Sequence, residues 1–195
     1  MDYKNFEYIV ASLPVLEADD RNISPAQSDS IIEEIRENLR PKDILALDLL
    51  LDLYNSDKIC SELYIKALKS KNRFIREFFS FDLALRNAKT EYLNEELGRE
   101  KGQDTIALGQ EEEEVEEVAK ATEIFHDNDI LRRERSLDEL SWEKIDSIVS
   151  MDIFSLDYIL SCVAKLKIIE RWTVLDPETG RSLFRKLVEE IRGSR

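Results

Sequence analysis

Apolar residues recur along most of this chain at the three- and four-residue spacing that lines one face of a helix. The clearest early case follows Ser24 and Pro25, an N-cap residue and then a first-turn proline. Ile31, Ile32, Ile35 and Leu39 form a single stripe behind them, and Pro41 stops it. Over 42–54 the apolar set Ile44, Leu45, Leu47, Leu49, Leu50, Leu51 and Leu53 is wider than a stripe. That width predicts a helix central to the core, with Asp48 and Asp52 one turn apart on its polar edge. Asp57 is placed to cap the next helix, with Leu63, Ala67 and Leu68 among its apolar contacts. A break at 70–72 leads through 74–79 into a fourth helix over about 81–97, closed by Gly98 as a left-handed C-cap.

The stretch 99–109 holds Gly102 and Gly109 among polar residues without a sustained period and reads as a linker or flexible loop. A polar helix is expected from the glutamate run at 111–114 to about His126. Ser136 with Glu139 forms a capping box ahead of Leu140, Ile145, Ile148 and Val149. Ser155 starts a helix to about Trp172, and Asp176 with Pro177 starts a last one through Ile191. The first segment, over 6–16, alternates loosely and is broken by Pro14, so a short strand and a helix start both remain open. A possible internal repeat sets FSFDLAL at 79–85 against FSLDYIL at 154–160. In both, Ser is the N-cap, Asp sits in the first turn and Phe is a staple, a pattern that duplication and convergent capping explain equally well. The expected fold is all-α, one or two related helical bundles with a short irregular or extended N-terminal segment. Its parts are an N-terminal bundle over 1–98, an acidic linker and helix start over 99–120, and C-terminal helices over 121–195, or a single domain.

Composition agrees: five glycines and four prolines in 195 residues are too few for a β architecture rich in tight turns. The formal charge of -14 and pI of about 4.7 oppose general binding to nucleic acid or to anionic lipid. Apolar runs fall short of the roughly 20 residues that span a bilayer, and the start MDYKNFEYIV lacks a basic-then-apolar signal pattern. The expected setting is cytoplasmic. Cys60 and Cys162 lie far apart, without metal-ligand spacing, and are expected as reduced, buried thiols.

The search for chemistry excludes more than it finds. The glycines match neither GxxxxGK[ST] nor GxGxxG, which argues against nucleotide hydrolysis. His126 is the only histidine, so no multi-histidine metal cluster exists, and as a lone general base it is weaker than its reading as a surface or helix-end residue. The pairs Asp48 with Asp52 and Glu33 with Glu37 offer carboxylates one turn apart for a cation or acid/base work, against the plainer reading of solvated helix edges. No catalytic, cofactor-binding or metal-binding residue is assigned.

Charge is distributed unevenly. Between 91 and 120 stand eleven acidic and three basic residues, net -8, more than half of the total. Upstream, Lys66, Lys69, Lys71, Arg73 and Arg76 interleave with Tyr64, Phe74, Phe78 and Phe79, the composition of interface anchors or of core aromatics with solvated basic heads. Such polarity suits orientation between charged protein partners. The candidate partner-binding residues are Lys69, Arg73, Arg76, Glu111, Glu112, Glu113 and Glu114.

YIVASLPVLEADD at 8–20 and LDPETGRSLFRKLVEEIR at 175–192 resemble an uncharacterised bacterial family encoded with V-type ATPase genes. The helix over 154–172 is similar to the repeated helices of the C/d stalk component of V-type ATPases. The resemblance implies an all-α protein at the junction of central rotor stalk and membrane ring, partnered by stalk and ring subunits. Such a protein transmits rotation without binding nucleotide or ions and lies at the inner membrane only through the ATPase. The C/d component has three helical bundles, and 195 residues have room for two at most. A helical adaptor of an unrelated complex is the alternative.

Overall fold

The computed structural model describes residues 6–18, 23–108, 116–149 and 152–174, which form eight α-helices and one 3₁₀ turn, with no strand among them. The helices are α1 (Phe6–Ser12), α2 (Pro25–Asn38), α3 (Pro41–Leu53), α4 (Ser61–Leu68), α5 (Arg73–Glu96), α6 (Glu116–Phe125), α7 (Ile130–Ile148) and α8 (Leu156–Val174). The protein is therefore all-α, and the ambiguous first segment is helical. The helix expected over 176–191 lies outside the described residues.

Local signals account for several boundaries. Ser24 caps α2 in a capping box: its hydroxyl accepts from the Gln27 amide at 3.3 Å, and the Gln27 carboxamide accepts from the Ser24 amide at 2.9 Å. Ser155 likewise accepts from the Tyr158 amide at the start of α8. Elsewhere tertiary packing overrides the local reading. Asp57 lies in the 3₁₀ turn Ser56–Lys58, and Cys60 occupies the N-cap of α4. No new helix starts at Ser80. Asn72, whose side chain accepts from the Ile75 amide at 2.8 Å, opens one continuous 24-residue α5, about 36 Å long. Ser136 and Glu139 lie inside α7, which begins two turns earlier under the Asp129 cap.

These shifts undo the apparent repeat. Phe79 is buried in the middle of α5 against Tyr64, whereas Phe154 precedes α8 and is 46% exposed. The two motifs do different work.

The central helix is α8, and not α3 as the width of the latter's apolar face suggests. Leu45 of α3 points to solvent at 68% exposure, while Ile159, Leu160, Val163, Ala164 and Leu166 of α8 are sealed. α8 packs on α1, α2, α3, α5 and α7; Ile159, Leu160, Val163, Ala164 and Ile168 join side chains of every other helix in one cluster that begins at Phe6, while Leu166 and Ile169 form a smaller one with Ile23. Each large apolar side chain so enclosed stabilises the fold by roughly 1.5–3 kcal/mol.

The second organising element is α5, which is antiparallel to α7. Lys89 pairs with Glu134 near one end, and Lys144 lies over the Phe81 ring toward the other. Its aromatic half stacks Phe74 on Phe78 and Phe78 on Phe81. Its polar half buries Asn87 and Asn94. Asn87 exchanges two hydrogen bonds with the Ile106 backbone, each 3.0 Å, and Asn94 donates to the Gln103 carbonyl at 2.7 Å. The stretch expected as a flexible linker is thereby held along α5 over 99–108, with Ile106 and Leu108 packed on the core.

Replacing Asn87 with Ala leaves a half-buried amide and carbonyl of Ile106 without their side-chain partner. It is expected to cost about 1–3 kcal/mol in urea unfolding and to speed amide exchange at Ile106. Unchanged exchange there counts against the clamp.

Candidate partner-binding surface

The basic segment folds into the turn that joins α4 to α5. α4 ends with Lys66 in its last turn, where the helix dipole favours a cation. α5 begins with Arg73 and Arg76 in its first turn, where the dipole disfavours one, and carries no acid there to offset them. Lys66, Lys69 and Lys71 are exposed, and none has an ion-pair partner among the described residues. Arg73 is exposed and pairs with Glu77 one turn on at 2.6 Å. Arg76 differs: it is half-buried, and its guanidinium donates to the Ser70 carbonyl at 2.8 Å, bracing the turn. Of the three basic residues expected at a partner surface, Lys69 and Arg73 face outward and Arg76 is structural.

The aromatics interleaved with these cations point inward. Tyr64, Phe74 and Phe79 are fully buried and Phe78 nearly so. The Tyr64 hydroxyl donates to Asp82, which also pairs with Arg86 at 2.6 Å. Burial, and then the Asp82 charge, pushes the Tyr64 phenol well above its ordinary range. The aromatic spacing is a core stripe, and its basic neighbours are the solvated heads.

The acidic end of α5 carries Glu95 and Glu96 in its last turn without a base, again against the dipole. Antiparallel α7 starts at the same end, but its Arg132 is held by Asp127 and its Arg133 donates to the Phe125 carbonyl at 3.4 Å. The expected acidic contacts Glu111, Glu112, Glu113 and Glu114 lie outside the described residues.

A cleft of about 740 Å³ opens where the end of α3 meets α5, α7 and α8, a feature that no single stretch of sequence announces. Leu53, Ile59, Phe78, Leu85, Leu137 and Ile168 line its floor, and ion pairs line its rim. Glu134 accepts from Lys89 and from Arg171, while Asp138 accepts from Arg171 and from the Trp172 indole N–H at 2.6 Å. Burial alone would raise Glu134, but the hydrogen bonds from Lys89 and Arg171 hold it below the ordinary value of 4.5. Asp138 is raised by burial, which outweighs the Arg171 charge. These rim groups engage one another and tie α5, α7 and α8 together. The only sequence trace of the network is the one-turn spacing of Glu134 and Asp138 on α7.

The carboxylate pair on α3 does not converge. Asp48 binds Arg36 of α2, and Asp52 binds Lys58. Glu33 lies on an exposed edge of α2 beside Arg36 at 3.5 Å, and Glu37 is exposed. No group of three or more metal-ligating side chains occurs among the described residues. His126 is exposed and packs edge-on against Tyr92. Cys162 is buried as expected, but Cys60 is exposed because its position is the α4 N-cap. No described helix is long and apolar enough to cross a membrane.

The depressed Glu134 pKa fixes the sign of a pH effect: its stabilisation is present above 4.5 and is lost as pH falls through the lower folded-state value. Glu134→Gln is expected to cost about 1–3 kcal/mol in urea unfolding at neutral pH, by leaving Lys89 and Arg171 short of a partner. The gap from the unaltered protein should narrow as pH falls below the ordinary value of 4.5 and through the lowered one, where that protein also loses the charge. A gap constant with pH refutes the assignment. Asp138 acts in the opposite sense, since a raised carboxyl favours the folded state on acidification.

No curated protein and no solved structure matches the chain. The family described as "Protein of unknown function (DUF2764)" matches residues 52–194, from the end of α3 past the end of α8, and the chain belongs to that family.

Proposed function

We propose that the protein is a non-catalytic subunit or assembly partner of a V-type ATPase, seated where the central stalk meets the membrane ring and coupling rotation to ion transport through protein contacts. The observation that carries this reading is the exposed lysine cluster Lys66, Lys69 and Lys71, unpaired among the described residues, at one end of α5 in a chain of net charge -14. A basic end on an acidic body orients the molecule between charged neighbours. The rim ion pairs support the same reading, because a component that transmits torque has to be stiff and these pairs tie three long helices to one another. So does the resemblance of the two end motifs to the family encoded with V-type ATPase genes.

The lysine cluster specifies the chemistry of a partner surface and not its identity, so a helical adaptor of an unrelated complex is the second reading. Affinity purification of the tagged full chain at native expression, followed by mass spectrometry, separates the two. Stalk and ring subunits of the ATPase are expected in the eluate. Recovery of the intact enzyme with this protein missing from every fraction overturns the ATPase reading, and an unrelated complex in the eluate supports the second.

A further inference from the structure

We infer that the α4–α5 turn and the loop before α8 form one docking surface, and that its occupant is an acidic, apolar-faced segment of a partner protein. This deepens the reading of the chain as an interaction component and rests on it, but it does not need the partner to belong to an ATPase.

The loop is built to present its side chains. The Asp152 carboxylate accepts from the Phe154 amide at 3.1 Å, the Ser155 hydroxyl donates to the Asp152 carbonyl at 2.7 Å, and the same hydroxyl accepts from the Tyr158 amide at 3.2 Å. Despite this order, Ile153 and Phe154 remain 47% and 46% exposed. A staple would cover Phe154 with the first turn of its own helix, but Ile159 is turned fully into the core. A half-exposed aromatic on an ordered backbone, next to an apolar neighbour, suits an interface anchor, since little backbone entropy remains to be lost on binding.

The loop and the basic turn are joined. Asn72, the residue that caps α5, donates from Nδ2 to the carboxylate of Asp157 in the first turn of α8 at 2.5 Å. Arg73 also feels the Asp157 charge. The apolar pair therefore lies beside the turn that carries Lys69 and Lys71. Asn72 is neutral and leaves Asp157 its charge, as the Phe154 amide leaves Asp152 its own, but Lys66, Lys69, Lys71, Arg73 and Arg76 outnumber Glu77, Asp152 and Asp157. The surface is therefore net positive, with Lys69 and Lys71 unpaired among the described residues.

Charge complementarity selects the occupant. An anionic bilayer would face the broad surface of a molecule carrying -14, whereas a single acidic segment meets only the local basic patch, since fields fade within about 8 Å at physiological salt. A second copy would have to bring its acidic end to this basic end, a head-to-tail contact that builds rings or filaments and not the two-fold dimer that is commonest among self-associating chains.

The test places a photoreactive phenylalanine analogue at position 154 of the full chain in its native cells and identifies the crosslinked peptide. The expected product is a peptide of net negative charge from another protein. Its yield should fall about tenfold in Lys69→Glu/Lys71→Glu and by less in Lys69→Gln/Lys71→Gln, with unfolding midpoints unchanged because both side chains are solvated. A crosslink to lipid, to a second copy or to a peptide without negative charge overturns the proposal, as does no crosslink, or a yield indifferent to the lysines. The two proposals fail separately. Copurification with ATPase subunits but no product at position 154 removes this surface alone, and an acidic peptide from an unrelated complex keeps the surface and removes the ATPase.

Discussion

The enclosure of α8 on five sides is the constraint from which most of the structure follows. A helix surrounded by neighbours has no solvent face, so its side chains must be apolar or small nearly all round, as Ile159, Leu160, Val163, Ala164 and Leu166 are. The charges it does carry emerge only where a neighbouring helix can meet them. Lys165 reaches Asp146 across the Trp142 ring, and Lys167 lies against Glu170, which the Ser28 hydroxyl also contacts. Arg171 closes on Glu134 and Asp138 of α7. The ion pairs at the rim of the cleft are thus a consequence of burying α8 while leaving its last turns polar.

α5 obeys a different logic. It is long enough to reach from the basic turn to the loop over 99–108, and each half uses its own means of attachment. The first half stacks aromatic rings in the core, and the second turns two asparagines inward to satisfy the backbone of a segment with no regular structure. Buried amides are costly when unpaired and strongly directional when paired, which holds 99–108 in register as a purely apolar contact would not.

The ends of α5 carry charges opposed to its dipole, and the fold treats the two ends differently. At the acidic end the chain runs on into the segment that Asn94 and Asn87 hold against the helix. At the other, Lys69 and Lys71 find no ion-pair partner among the described residues and lie beside an apolar pair that the chain leaves half exposed on a hydrogen-bonded loop. Such a combination is unfavourable in isolation, because exposed apolar area and unbalanced charge both raise the free energy of the uncomplexed protein. It is consistent with a surface selected for contact.

The helical class and the Ser24 and Ser155 starts were legible in sequence, because caps and a 3.6-residue period are local properties, whereas the aromatics at 74–79 became a core stripe of α5 only in the fold. The basic segment was legible as well, though not the division of labour in which Arg76 braces the turn while Lys69 and Arg73 face outward. Ser80 and Ser136 mark where local reading fails, since a serine that can cap a helix is also tolerated within one when flanking apolar faces are buried against neighbours. Phe79 and Phe154 stand in nearly the same local sequence, yet one is sealed in the core and the other is 46% exposed. The sequence by itself determined the helical class and where several of the helices begin. Only the tertiary structure decided that α8 is central, that Glu134 meets Arg171, and that Phe154 stands beside the lysines, because those outcomes depend on which faces remain to be paired after the chain closes on itself.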